Sequence, residues 1–208
     1  MEIVYSLLAM LAAYLIGSLS FAVIVSKLMG LADPRTFGSK NPGATNVLRT
    51  GNKQAAIITL VLDALKGFVP VALVQWLGED YGLQDGTVAL VGLAAFMGHL
   101  FPVFFKFKGG KGVATAAGVL FGVHWLLGLA CVASFGIILF FSRYVSLASV
   151  AAAAFAPFYY LFGDRMAWYQ SKSILLAIFI IAVLVAVRHR ANLERLVQGT
   201  EAKLGAKK

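Results

Sequence analysis

Long apolar stretches separated by short polar segments dominate the sequence. Crossing a bilayer takes about 20 apolar residues, and four stretches fit this length, while a fifth, residues 174–187, is slightly short but strongly apolar. A sixth, residues 112–141, would extend roughly 45 Å as one helix, against a hydrocarbon core of roughly 30 Å. It therefore forms either one steeply tilted helix or two short helices joined near Gly122, Val123 and His124. The four long stretches are residues 3–29, 55–77, 86–105 and 145–162.

The positions of the basic residues choose between these alternatives, because Lys and Arg collect in cytoplasmic loops. Basic linkers follow the first and third stretches, and the linker after the second contains acidic residues and no base. A single crossing by residues 112–141 would leave the basic C-terminal segment outside, whereas two crossings return it and Arg143 to the inside. The pattern predicts an all-α integral membrane protein of seven transmembrane helices, with its N-terminus outside and its C-terminus cytoplasmic. One polytopic domain, residues 1–208, would contain spans at 3–29, 55–77, 86–105, 112–122, 124–141, 145–162 and 172–188.

Composition and charge exclude several classes of protein. With 60% hydrophobic residues, 13% charged residues and a mean hydropathy of +0.84, the chain is too apolar for a water-soluble or disordered protein. The net charge of +9 is the difference between 18 bases and 9 acids. The bases on the predicted cytoplasmic side include Lys207 and Lys208. This excess favours anionic lipid or anionic substrates over nucleic acid. The single cysteine, Cys131, is interpreted as a small buried hydrophobe. The first stretch is too long for a signal peptide and is expected to be retained.

Two polar segments on the predicted cytoplasmic side contain candidate anion sites. Residues 37–49 combine glycines, which let backbone N–H groups turn toward an anion, with Ser, Asn, Thr, Lys and Arg donors. The alternative is a capped turn before the second span, with Asn41 or Thr45 as the N-cap. Residues 106–115 form a basic, glycine-rich segment that opens an apolar helix, a favourable place for phosphate. The alternative there is a flexible basic loop on acidic lipid.

Other polar positions allow a structural or a functional interpretation. Arg143 could anchor a span at the interface or reach inward as a bidentate phosphate ligand. A basic helix after the last span would bring His189, Asn192 and Arg195 onto neighbouring turns. Asp63 and Lys66, three residues apart within the second span, are interpreted as a structural ion pair, and His99 has no acid at the spacing of a His-acid motif. The spacing of Gly118 and Gly122 favours close helix packing.

Three runs in this order resemble the bacterial acyl-phosphate:glycerol-3-phosphate acyltransferases, the PlsY family, and the similarity covers nearly the whole chain. The first run is Gly-Ser-Lys-Asn-Pro-Gly-Ala-Thr-Asn from Gly38. The second is His99-Leu-Phe-Pro-Val-Phe leading into the glycine-rich segment that ends at Thr115. The third is His189-x-x-Asn192-x-x-Arg195-Leu196-x-x-Gly199-x-Glu201.

The resemblance implies transfer of a fatty acyl group from acyl phosphate to the 1-hydroxyl of glycerol 3-phosphate, forming lysophosphatidic acid and phosphate. It implies no cofactor and no metal. The expected partners are the two substrates, the bilayer and, through a functional link, the enzyme that supplies acyl phosphate, with no nucleic acid. The expected location is the bacterial cytoplasmic (inner) membrane, with the active site at the cytoplasmic face.

The same resemblance implies roles for individual residues. Catalytic residues would be Ser39, Arg49, Lys111, Arg143, His189 and Asn192. Substrate-binding residues would be Asn41, Gly43, Asn46, Gly109, Gly110, Gly112, Ser146, Arg195 and Glu201. The two phosphates would be held by Ser39, Arg49, Lys111, Arg143, Ser146 and the N–H groups of Gly109, Gly110 and Gly112. The acceptor would be oriented, or its site braced, by Asn41, Asn46, His189 and Asn192. Glu201 would pair with Arg195 or Lys111 and keep the tail helix over the site.

Direct attack of the acceptor hydroxyl on the already activated acyl phosphate is the mechanism these residues favour. His189 and Glu194 only approximate the His-x4-Asp pair of the common glycerolipid acyltransferases, because the acid is Glu and residues five apart point about 140° apart on a helix. The competing class is a transporter of a small organic phosphate, although the sequence has no repeat typical of transporters. A scaffold that binds acidic lipid is a third alternative.

Overall fold

The computed structural model describes residues 1–205, so the predicted cytoplasmic bases Lys207 and Lys208 lie outside the described residues. Helices form the regular structure of this part of the chain. They are α1 (Glu2–Gly17), α2 (Phe21–Leu28), α3 (Ala44–Val47), α4 (Lys53–Leu77), α5 (Asp85–Leu100), α6 (Val113–Val123), α7 (Trp125–Ser142), α8 (Val145–Phe162), α9 (Lys172–Arg188) and α10 (Arg190–Val197).

The chain divides into two compact units, Met1–Val123 and His124–Lys208. The single polytopic domain stays a prediction. The division falls at the joint predicted near Gly122, Val123 and His124. At this joint α6 ends at Val123 and α7 begins at Trp125, so residues 112–141 form two helices rather than one tilted helix.

In the first unit, α1 packs on α5, and α4 packs on both α5 and α6. Glycines allow the closest approaches. A methyl group at Gly17 would overlap the carbonyl oxygen of Ala95, and one at Gly118 would overlap that of Ala64. The small residues expected to favour helix packing therefore form the contact between α4 and α6.

In the second unit, α8 packs between α7 and α9, and α10 contacts both α8 and α9. Beyond α8, the indole of Trp168 stacks on Tyr160 with ring centroids 5.7 Å apart and donates to the carbonyl of the same residue at 2.9 Å. Cys131 on α7 is buried, as expected for a small hydrophobe.

Within residues 1–205, four helical segments are long and apolar enough to cross a membrane, or up to six if each of two bent pairs counts as one span. The first bent pair, α1 and α2, turns by 44°, so the predicted span 3–29 is not one continuous helix. The second pair, α9 and α10, turns by 57°. Helix α6 has only 11 residues, about 17 Å at 1.5 Å per residue. The count of seven spans remains a prediction.

The surfaces of these helices carry large apolar side chains. Phe140 is 77% exposed, Phe162 76% and Trp76 72%. Water would make such exposure costly, whereas hydrocarbon surroundings make it favourable. The helices therefore suit a bilayer on the faces that they do not pack together.

Candidate functional site

The polar segment 37–49 is organised by one buried side chain, Asn46. Its Nδ2 donates to the carbonyl oxygens of Pro34 (2.6 Å) and Phe37 (3.2 Å), and its Oδ1 accepts from the backbone N–H of Ser39 (3.1 Å). These bonds occupy both amide protons. Of the two roles predicted for Asn46, orienting the acceptor or bracing the site, the contacts correspond to bracing.

The bracing brings Arg49 against the turn that presents Ser39. Gly38 has a φ of +58°, and a Cβ there would overlap Asn46 Oδ1 and lie 3.1 Å from Arg49 Nη1. Both Ser39 and Arg49 have exposed side chains. Glycine is therefore needed at position 38 for its backbone conformation and for its closeness to the guanidinium.

The capped-turn interpretation of this segment is wrong in its residues. The N-cap of α4 is Asn52, whose Oδ1 accepts from the N–H of Ala55 at 3.0 Å. The short helix α3 begins after Gly43 instead, with an extended backbone at that glycine. Asn41 lies beside it, with Nδ2 3.3 Å from the position a Gly43 Cβ would occupy. Neither Asn41 nor Thr45 caps the second predicted span.

The glycine segment 106–115 packs closely on the end of α5 and on the polar segment. A methyl group at Gly109 would overlap the carbonyl oxygen of His99, and one at Gly110 would overlap His99 Nε2 and lie 2.8 Å from the carbonyl oxygen of Pro42. Gly110 therefore runs between His99 and Pro42. The structure thus brings together the two polar segments that the sequence predicted to bind anions.

One backbone group in this segment differs from its predicted role. The N–H of Gly110, expected to bind phosphate, donates to the carbonyl oxygen of His99 at 3.2 Å. A single N–H engaged inside the protein is not available to hold a phosphate, so the need for glycine here is steric. Lys111 is half-buried, and Gly112, with a φ of +81°, leads directly into α6. This is the predicted arrangement of a glycine loop at a helix N-terminus.

A buried polar network lies beneath the glycine segment. Lys66 Nζ lies 2.7 Å from Asp63 Oδ1, which makes the predicted structural ion pair. The same carboxylate oxygen lies 3.7 Å from His99 Nδ1. Thr115 Oγ1 lies 3.1 Å from His99 Nδ1 and donates to the carbonyl oxygen of Asp63 at 2.9 Å.

The sequence interpretation missed the link between His99 and Asp63, since it looked for an acid close to His99 along the chain. The acid comes from α4, and the hydroxyl comes from α6. The available signal was that three polar side chains, Asp63, Lys66 and His99, fall within apolar stretches where each needs a partner.

In the second unit, the carboxylate of Glu201 accepts hydrogen bonds from Ser146, Asn192 and Arg195. These four residues are called the tail cluster. Glu201 Oε1 accepts from Ser146 Oγ (2.9 Å) and from Asn192 Nδ2 (2.7 Å). Glu201 Oε2 lies 2.8 Å from Arg195 Nε. The pairing with Arg195 is thus one of the two that the resemblance implied. Burial works to raise the pKa of the Glu201 carboxyl, but the hydrogen bonds and the guanidinium charge outweigh it and lower that pKa.

The tail cluster changes the role expected of Ser146. This residue was predicted to hold a phosphate, but its side chain is buried and its single hydroxyl proton is donated to Glu201. Ser146 therefore fixes the carboxylate. The turn after α10 brings Glu201 back toward that helix. Gly199, with a φ of +70°, lets the N–H of Thr200 reach the carbonyl oxygen of Arg195 at 2.8 Å.

Arg143 also contacts the segment after α10. Its Nη2 donates to the carbonyl oxygen of Leu204 at 3.1 Å, and its own carbonyl accepts from the N–H of Leu204 at 2.7 Å. The guanidinium carries five N–H donors, so one bond to Leu204 leaves it able to hold an anion as well. Its side chain is exposed, in agreement with both predicted roles.

His189 stands at the bend between α9 and α10, so the basic helix does not continue straight from the last predicted span. The ring is buried, and Nδ1 lies 2.8 Å from the carbonyl oxygen of Val185. A carbonyl can only accept, so Nδ1 is protonated and a neutral ring has Nε2 as its acceptor. Glu194 binds Arg190 at 2.9 Å instead of His189, so the two residues do not form a His-acid dyad.

No group of three His, Cys, Asp or Glu side chains within residues 1–205 has an arrangement suited to a metal ion. The polar side chains that remain exposed or half-exposed include those of Ser39, Arg49, Lys111 and Arg143. Apolar helices with glycine-rich and basic polar segments between them define an integral membrane protein suited to phosphorylated ligands.

The chain belongs to the glycerol-3-phosphate acyltransferase family, whose model matches residues 7–199. It is 62% identical over 207 residues to a glycerol-3-phosphate acyltransferase of Albidiferax ferrireducens, covering 100% of this chain and 92% of the relative. It is 59% identical over 196 residues to that of Bordetella petrii, covering 94% and 92%. Family membership favours the enzyme over the transporter and the scaffold.

Two solved structures of PlsY (YgiH), an integral membrane glycerol 3-phosphate acyltransferase, have the same fold. The glycerol 3-phosphate form matches with a TM-score of 0.88 at 38% identity, and the lysophosphatidic acid form with 0.86 at 37%. Each match covers 97% of this chain and 96% of the solved chain. The likeness therefore extends through nearly all the helices described above.

Proposed function

We propose that this protein transfers a fatty acyl group from acyl phosphate to the 1-hydroxyl of glycerol 3-phosphate, forming lysophosphatidic acid and inorganic phosphate. Family membership supports the acceptor. The two forms of PlsY are named for glycerol 3-phosphate and lysophosphatidic acid, which are the acceptor and the product of this reaction. Acyl phosphate as the donor rests on the resemblance of the three sequence runs.

The observation that carries the phosphate chemistry is the packing of Gly110 between His99 and Pro42. It sets the glycine segment beside the polar segment in the first unit. Ser39, Arg49 and Lys111 are then candidates to hold phosphate oxygens, together with the N-terminal end of α6. Arginine suits this task because its planar guanidinium binds phosphate in a bidentate manner, while lysine adds a compact charge.

The second unit, taken by itself, also carries polar groups suited to a phosphorylated substrate. Arg143 retains N–H groups for an anion, and the ring of His189 is fixed by the carbonyl oxygen of Val185. Asn192, Arg195 and Ser146 act mainly through Glu201, whose carboxylate they hold.

The proposed step needs no protein nucleophile, because acyl phosphate is a mixed anhydride. The oxygen of the acceptor 1-hydroxyl forms a bond to the acyl carbon, and the bond between that carbon and the phosphate oxygen breaks. The leaving phosphate takes the hydroxyl proton. Fixed donors around both phosphates lower the barrier by holding the reactants together and by stabilising the developing charge.

The predicted cytoplasmic face of a bacterial inner membrane is the proposed location of the site. The segments that contain the candidate residues also carry most of the basic residues, in agreement with the tendency of Lys and Arg to lie inside. Glycerol 3-phosphate is soluble in the cytosol, so this face would give it direct access.

Purified protein in detergent, given acyl phosphate and glycerol 3-phosphate, tests the proposal. We expect lysophosphatidic acid from the wild type and a loss of about 100-fold in kcat/KM for Lys111→Ala, since removing one preorganised donor costs about this much. The control is Lys27→Ala, which removes an equal, exposed charge outside the candidate site and should keep activity within about twofold. Product from an acyl thioester but none from acyl phosphate would contradict the donor, and full activity of Lys111→Ala would contradict the phosphate site.

A further inference from the structure

The buried network in the first unit connects three helices to the glycine segment. Asp63 lies on α4, His99 near the end of α5 and Thr115 in the first turn of α6. All three are buried, and Thr115 is fully so. Beyond His99 the contacts continue to Gly110, whose N–H donates to the carbonyl oxygen of His99 and which has no room for a methyl group against Nε2 of the ring.

The directions of the hydrogen bonds decide which nitrogen of His99 carries the proton. Thr115 has one hydroxyl proton, and it is donated to the carbonyl oxygen of Asp63. In the contact with His99, the hydroxyl oxygen must therefore accept, which requires a proton on Nδ1. The Asp63 carboxylate, 3.7 Å from the same nitrogen, favours that proton too. A neutral His99 consequently presents an unprotonated Nε2 to the glycine segment.

The far side of the network is fixed by the break in the first helix pair. Lys66 Nζ donates to the carbonyl oxygen of Leu19 at 2.7 Å, between α1 and α2. Leu19 lies beyond the last residue of α1, where carbonyl groups lack helical partners and attract a cation. Lys66 therefore holds Asp63 in place from one side, while Thr115 holds His99 from the other.

We propose that His99 is a positioning residue for the phosphate site. Its ring orientation, set by Asp63 and Thr115, fixes where Gly109 to Gly112 run and hence where Lys111 and the start of α6 meet a phosphate. The inference rests on the proposed function in one respect, namely that this segment binds a phosphorylated substrate. His99 itself touches the glycine backbone and acts through it.

Removing the threonine hydroxyl distinguishes a network that only stabilises the fold from one that positions the glycine segment. Only the second predicts a higher KM for a phosphorylated substrate. Thr115→Val keeps the shape of the side chain and removes both hydrogen bonds. Thr59→Val makes the same change at an equally buried threonine on α4, whose hydroxyl has no hydrogen-bond partner among residues 1–205. Thr115→Ser restores the hydroxyl on a smaller side chain.

The experiment measures kcat and the KM of both substrates for these three variants and the wild type in detergent. It also records the rise in Tm on adding glycerol 3-phosphate or inorganic phosphate. We expect Thr115→Val to raise the KM of one phosphorylated substrate about tenfold, with kcat within about threefold, because the hydrogen bonds that orient the loop are lost. Thr115→Ser and Thr59→Val should stay within about twofold of the wild type in both parameters.

Equal kinetics for Thr115→Val and Thr59→Val would overturn the inference, and so would a loss confined to kcat. If Thr115→Val does not fold, Asp63→Asn takes its place with the same two expectations for KM and kcat. A wild type that makes no product from acyl phosphate would refute the proposed function instead. In that case the rise in Tm with inorganic phosphate decides the inference: it should shrink in Thr115→Val and persist in Thr59→Val.

Discussion

At the scale of the residue, Glu201 is the clearest example of one side chain that organises many others. Its two oxygens hold a serine from α8, an asparagine and an arginine from α10. The side chain of Glu201 is 9% exposed and that of Arg195 is 45% exposed. A half-exposed ion pair alone would add little stability. The hydrogen bonds from Ser146 and Asn192 add to the stabilising effect of the ion pair on the same carboxylate.

Replacing Glu201 tests whether the tail cluster stabilises the protein, and lowering the pH tests the contribution of the Glu201 charge. Glu201→Gln should lower both Tm and activity at pH 7, because an amide cannot accept from all three donors. Since the pKa of Glu201 is lowered from an ordinary value of 4.5, its stabilising effect is complete above that value and is lost as pH falls below it. The difference in Tm between wild type and variant should therefore shrink below about pH 4.5.

The control for this measurement is Glu194→Gln, the same change at an exposed carboxylate on α10, the helix that precedes Glu201. Glu194 contacts Arg190 at the surface, and such pairs contribute only about 0.3–0.5 kcal/mol. Its Tm and activity should remain close to the wild type. A Glu201→Gln variant that behaves in the same way would contradict the role of the tail cluster.

At the scale of the element, the apolar pattern predicted where most helices lie because each stretch is set by local composition. Residues 145–162 and 172–188 match α8 and α9. The break between α1 and α2 was missed, because Ser18 and Ser20 interrupt the apolar run too briefly. The carbonyl oxygen of Leu19 in this break accepts from Lys66, which lies 47 residues further along the chain. Non-local contacts of this kind leave no mark on a local pattern.

In the candidate site, too, the features set by a short run of residues were predictable, and those set by distant partners were not. The glycine and polar segments were recognisable because residue types in a short run define a loop at a helix start. The roles of Ser146 and His99 were not recognisable, because each depends on a partner from a distant part of the chain, Glu201 and Asp63 respectively. The family resemblance assigned Ser146 to a phosphate and gave His99 no role, while the partner in the structure decides what each side chain contacts.

The contact between α4 and α6 makes a prediction about packing. Gly118→Ala should be destabilising by about 1–3 kcal/mol, because its methyl group would overlap the backbone carbonyl of Ala64, which cannot rotate away. Gly136→Ala is the matched control, since nothing lies within 4 Å of a methyl group at that position on α7. Thermal unfolding in detergent should show a lower Tm for the first variant and an unchanged or higher Tm for the second.

At the scale of the whole molecule, the distribution of basic residues predicts seven crossings of the membrane. Seven crossings put residues 163–171 outside and the segment after α10 inside, as the distribution of bases requires. The short helix α6 is the element that decides the count, since without a crossing there the two ends of the chain would lie on the same side.

Cysteine labelling can measure this topology directly, because Cys131 is the single native cysteine and is buried. In a Cys131→Ala background, Met166→Cys should react with a membrane-impermeant maleimide in intact cells, since Met166 is 87% exposed. Ala202→Cys should react only after the membrane is permeabilised. Labelling of Ala202→Cys in intact cells would contradict the seven-span topology, and the two positions serve as controls for each other.

The ion pair on α4 also bears on how the chain enters the bilayer during synthesis. A lone Asp or Lys at the centre of a helix costs roughly 3 kcal/mol to insert through the translocon. Asp63 and Lys66 are three residues apart on one helix, so each has its counter-ion as soon as that turn forms. Helix α4 can then partition into lipid as a neutral segment before α5 and α6 have been made. Leu19 is synthesised before Lys66, so its carbonyl oxygen is already present when the Lys66 ammonium group needs an acceptor.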